Sequence, residues 1–80
     1  MSYVMAMPTI KRFPRFELRM YFGDHPPAHV HMTGRGYEAL IAIEDGTVLR
    51  GAAPRRELGE ARIWIEANRA SLMGEWRRKP

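Results

Sequence analysis

The chain has no cysteine. That excludes a disulfide staple, a thiolate nucleophile and a zinc site built on sulfur, so any metal would have to be held by His, Asp or Glu. No apolar run approaches the roughly 20 residues that span a bilayer, and Met1 to Met7 lack the charged start and hydrophobic core of a secretion signal. We therefore expect a cytoplasmic protein with no membrane partner. Internal repeats, low-complexity tracts and long linkers are also missing, so 80 residues are expected to make one domain. A chain this short buries a small core, which makes a homodimer or a protein partner a natural expectation. The pattern of a nucleophilic triad is absent too, because neither Ser2 nor Ser71 sits in an activating motif. The Gly34-Arg35-Gly36 turn lacks the strand-glycine-helix setting of a phosphate loop.

What is present is positive charge. A net charge of +4 and a pI near 10.1 favour polyanionic partners, RNA or DNA among them, or an acidic protein. Acidic residues are scattered among the bases, so position rather than total charge has to locate a binding face. Lys11, Arg12, Arg15 and Arg19 interleave with Phe13, Phe16 and Tyr21, a mixture suited to phosphates and stacked bases and equally to the solvated side of a strand. Arg55 and Arg56 stand where a helix should begin, and cations there oppose the helix dipole; they form a candidate phosphate or carboxylate site, or equally a loop pair bonded to Glu57 or Glu60.

Phe16, Leu18, Met20 and Phe22 alternate with Arg15, Glu17, Arg19 and Tyr21, the period of a strand with one buried and one polar face. Ala28, Val30 and Met32 alternate with His29 and His31, predicting a second strand that turns both imidazoles away from the core. Tyr37 to Ile43 predicts a third, with Tyr37, Ala39, Ile41 and Ile43 on one side. Asp45-Gly46 predicts a tight two-residue hairpin leading to a short fourth strand, Thr47 to Arg50. From Pro54 the period becomes helical: Leu58, Ala61, Ile65, Leu72 and Trp76 share one stripe, Trp64 flanks it and Ile63 lies off it. The expected fold is α+β: a four-stranded antiparallel sheet in two layers (ββββα), with one long C-terminal helix over Pro54 to Arg77 packed on a single face.

All three histidines fall within Asp24-His25-Pro26-Pro27-Ala28-His29-Val30-His31. Imidazole titrates near neutral pH and can move protons, bind metal or form hydrogen bonds on two sides. Two residues apart on a strand, His29 and His31 project to one side with Cα atoms roughly 6 to 7 Å apart, close enough for both rings to meet one ligand. Three readings stay open. Asp24 can cap the turn while the rings hydrogen-bond internally; His25, His29 and His31 can hold a divalent transition metal, with Asp24 or Glu38 in reserve; or Asp24 and the three histidines can form an acid-base site that needs no cofactor. RNA cleavage asks for a base, an acid and a cation for the phosphorane charge. Arg19 and Tyr21, on the polar side of the neighbouring strand, are the nearest candidates for holding phosphate.

From Met7 onward the chain resembles a small, mostly bacterial family known as domain of unknown function 4160. The resemblance rests on Met7-Pro8-Thr9-Ile10, Arg19-Met20-Tyr21-Phe22, the histidine-proline motif from Asp24 to His31, Glu44-Asp45-Gly46 and the helix holding Trp64 and Trp76. It implies one domain over 7–80, with Met1 to Ala6 an extension. Family members often have Asn where this chain has Gly23 or Pro26, but the acid and the three histidines are here. Members look like halves of two-gene cassettes similar to toxin-antitoxin modules. The resemblance thus implies a cognate small protein from the neighbouring gene, and mRNA or operator DNA as target. It brings no catalytic residues with it. A nucleic-acid-binding protein with metal-independent ribonuclease chemistry, a non-catalytic autoregulatory interaction module and a metal-binding protein are the three expectations.

Overall fold

The computed structural model describes residues 9–21 and 25–78. The expected extension over 1–6, the strand end at Phe22, and Asp24 and Lys79 lie outside the described residues. Five strands come first: β1 (Thr9–Arg12), β2 (Phe16–Arg19), β3 (His29–Gly34), β4 (Tyr37–Ala42) and β5 (Val48–Ala52). Two helices follow, α1 (Arg55–Ala67) and α2 (Arg69–Arg77). The sheet is an antiparallel meander in the order β1-β2-β3-β4-β5.

The α+β class and the two layers agree with the sequence pattern. The counts do not: there are five strands rather than the expected four, and two helices in place of one long one. β1 is only four residues long, half of it exposed, and its register against β2 slips between Thr9 and Lys11. Such an edge has no period to read; pairing creates it, closed by the Phe13 amide donating to the Phe16 carbonyl at 2.8 Å. The expected single helix divides at Asn68, whose backbone leaves the helical region at φ −117 and ψ 18. Its side-chain Nδ2 donates to the Trp64 carbonyl at 2.8 Å, a local bond that competes with helix continuation. The apolar stripe survives the break, with Ala61, Ile65 and Leu72 buried and Ile63 72% exposed.

Strand alternation builds the core from one face of the sheet. Phe16, Leu18, Met20, Val30, Met32, Ala39, Ile41 and Ile43 meet Ala61, Ile65 and Leu72 in a single apolar cluster. Polar bonds fasten the helices: Arg62 Nε donates to the Gly46 carbonyl and Arg69 Nε to the Ile43 carbonyl, each at 2.8 Å. Glycine 46 is left-handed, φ +78, as a turn there requires, but the connection is longer than the expected two residues. The reason is Ile43, which is fully buried and gives its amide to the Ala28 carbonyl at 3.1 Å instead of extending the hairpin. The loop then closes between the Ala42 amide and the Thr47 carbonyl at 2.8 Å, and β5 starts at Val48 rather than Thr47.

Candidate functional site: a histidine trough on the second sheet face

Pairing aligns β2 to β5 so that Arg19, His31, Leu40 and Arg50 form one row across four strands, on the face opposite the helices. His31 and His29 flank Val30, which points into the core, so the two imidazoles share that second face with ring centres 5.2 Å apart. Their surroundings differ. His29 is 6% exposed; its Nδ1 lies 2.8 Å from the Pro27 carbonyl, and the Trp76 ring of α2 stands 5.2 Å away. A carbonyl only accepts, so Nδ1 carries the proton in that bond. The His31 side chain is 12% exposed, packs edge-on against Tyr21 at 4.1 Å and sets Nδ1 3.7 Å from Glu38 Oε2.

These rings floor a shallow open trough of about 380 Å³, lined by His25, Pro26, Pro27, His29, His31, Leu40, Leu49 and Arg50. A second hollow of about 270 Å³ continues from it past His31, Leu40 and Arg50 to Glu38 and Gly51. The cations along the row are not equivalent. Arg19 Nε donates to Glu17 Oε2 at 2.6 Å, so its charge is already matched on its own strand. Arg50 is exposed and, among the described residues, has no ion-pair partner. Outside the trough, the Thr47 amide, bonded to Asp45 Oδ1 at 2.9 Å, holds the Asp45 carboxyl below the usual carboxylate value. Burial, with Glu57 nearby, pushes the Tyr37 phenol above its own.

Of the residues singled out from sequence, His25, His29 and His31 share the trough, with Arg19 and Tyr21 beside them on the β2 side. Arg55 and Arg56 are elsewhere. β5 leaves the sheet where Ala52 pairs with Glu38, four positions along β4 from the Ala42 that pairs with His29. That is roughly 13 Å along the strands, so the start of α1 belongs to the opposite end of the sheet. Among the described residues, no three His, Asp or Glu side chains gather in a ligating set. Arg50, Leu49 and Trp76 were not legible as site residues. Leu49 is an extra residue in β5, opposite the step from Leu40 to Ile41, so simple alternation misplaces its neighbours. Trp76 reads as core because it lies on the apolar stripe, and it does pack there as well as against His29.

Residues 16–77 match the domain of unknown function DUF4160. The chain belongs to the DUF4160 family. The matched span of this DUF4160 protein runs from β2 to the end of α2 and contains the whole trough. Neither the curated proteins nor the solved structures contain a match to it. No helix among its described residues is long and apolar enough to cross a membrane.

Proposed function

We propose that this DUF4160 protein is a nucleic-acid-binding protein of the toxin-antitoxin kind that cleaves RNA in the histidine trough without a metal. The observation that carries the reading is the arrangement around His31: a carboxylate behind Nδ1, an aromatic ring against its side, and an exposed arginine in the same cross-strand row. His31, with the Glu38 carboxylate 3.7 Å from its Nδ1, serves as the base that takes the proton from a ribose 2′-hydroxyl. The 2′-oxygen then attacks phosphorus, the bond to the 5′-oxygen breaks, and the leaving oxygen takes a proton from His25 across the trough. The product is a 2′,3′-cyclic phosphate, and Arg50 balances the charge of the phosphorane on the way. His29, buried and bonded to Pro27, positions the turn that carries His25.

The test is cleavage of a labelled RNA in excess chelator. Wild type should cleave it, and His31→Ala and His25→Ala should each lose about 10²- to 10⁴-fold in rate. Cleavage abolished by chelator would assign the histidines to a metal instead. A second reading is favoured by exposed Leu49 at the rim of the trough: a non-catalytic surface that seats a cognate small protein or a second copy of the chain. Partner capture lost in Leu49→Asp, with no cleavage by wild type, would decide for that reading.

A further inference from the structure

Three connections leave the sheet at the end away from His25. Phe16 pairs with Gly34, Gly34 with Tyr37, and Ala52 with Glu38, so the β1–β2 loop, the β3–β4 turn and the start of α1 come out side by side. Each carries exposed arginine: Arg15 on the first, Arg35 on the second, Arg55 and Arg56 on the third, with Arg12 closing β1 beside them. A hollow of about 270 Å³ brings Arg12, Arg15 and Arg35 onto one surface, with Phe13 among them. Arg15 lies 4.0 Å from Glu57 in the first turn of α1, which ties Arg55 and Arg56 to the same end.

The charge there is poorly compensated. Among the described residues, the carboxylates within 4 Å of this group are Glu57 and Glu17, and Glu17 is 3.8 Å from Arg12 but already bonded to Arg19. Arg12 and Arg15 remain 75% exposed despite those neighbours. Two cations in the first turn of a helix also oppose its dipole. Crowded, solvated guanidinium groups match the phosphates of a nucleic-acid chain, and the Phe13 ring among them is stacked on Phe16.

We propose that this arginine end binds the phosphodiester backbone of a single-stranded nucleic acid, separately from the trough. The inference rests on the nucleic-acid reading above but not on cleavage. Three residues along β3, roughly 10 Å, separate His31 from Gly34, so one strand of nucleic acid can occupy both places.

The experiment is fluorescence anisotropy of a labelled oligonucleotide of about 20 residues, as RNA and as DNA of the same sequence, in chelator over a range of salt. The probes are wild type, Arg78→Ala, a triple Arg12→Ala, Arg35→Ala, Arg55→Ala variant and the same triple change to Lys. The triple Ala variant should bind at least about tenfold more weakly, with the slope of log K against log salt reduced by about 2, and the Lys variant should recover the slope. Arg78→Ala, an exposed cation beside Glu75 at the end of α2, should keep it. Loss on RNA alone assigns the site to RNA, and loss on both to the backbone they share. Unchanged affinity and slope in the triple Ala variant overturns the proposal, as does binding of polyglutamate in preference to either oligonucleotide. Cleavage of a dinucleotide, too short to reach the arginines, reads the trough alone. Its absence with arginine-dependent binding intact defeats the ribonuclease reading and leaves this site standing.

Discussion

His29 and His31 differ in what their removal takes away. Strand alternation alone suggests that both can be lost without harm to the fold, since both turn from the apolar layer. Their contacts separate them: His29 forms a hydrogen bond to Pro27 and packs beside Trp76, whereas His31 packs on Tyr21 at the trough. His29→Ala should therefore lower stability by about 1–3 kcal/mol in urea denaturation, the range for a lost buried hydrogen bond and packing. His31→Ala should lower it by less while removing cleavage. Equal losses of stability would mean that the two rings do the same structural job. Asp45 provides a pH-dependent contribution. Its carboxyl is held below its ordinary value by the Thr47 amide, so the turn is fully stabilised above that ordinary value and loses the benefit as pH falls through the lowered one. The melting temperatures of wild type and Asp45→Ala should therefore converge as pH drops from neutral to about 2. That Arg19, Tyr21, His29 and His31 share a face was legible in the period of two. That Arg50 joins them was not, because a single extra residue at Leu49 reverses the parity of β5.

At the scale of elements, the long periodic segments declared themselves and the short ones did not. β3, β4 and the helical stripe each bury one regular set of side chains, which is what periodicity records. β1 exists through pairing with β2, and the break at Asn68 through one side-chain bond, and neither leaves a hydrophobic pattern. β5 depends on Gly51, which adopts φ +76 with its Cα against the Glu38 carbonyl, so that a β-carbon would collide with backbone. Gly51→Ala should cost about 1–3 kcal/mol from the left-handed backbone alone, with more from the collision, read as a fall in melting temperature. Since Arg50 precedes it, that variant should also weaken the trough, whereas Gly59→Ala, where a β-carbon meets nothing within 4 Å, should not.

As a whole the molecule has one sheet face under the apolar cluster, as the alternation of the strands foretold, and a second that is partly covered, with Trp76 of α2 against His29. Its ends are unlike: guanidinium groups at one, the histidine turn with Glu44 and Asp45 at the other. That polarity was not legible, because it arises from which loops emerge together and only the strand order reveals it. With so small a core, every fully buried side chain carries a large share of stability. Leu72→Ala should cost about 2–5 kcal/mol, close to the entire margin of a domain of this size. Circular dichroism should then show substantial unfolding at ambient temperature; a variant that melts like wild type would mean that α2 contributes little to holding the layers together.

The meander also bears on how the chain reaches this state. Every strand neighbours the one before it, so the sheet can zip up by successive local closures, the short-range topology associated with rapid folding. The two helices come last in chain order. Until they dock, Leu18, Met32 and Ile41 face water on a flat, ready-made apolar surface, and Arg62 and Arg69 have yet to grip the loop carbonyls. A nascent or truncated chain lacking the helices would therefore be adhesive, and its fate in a cell would be set by how quickly that lid arrives.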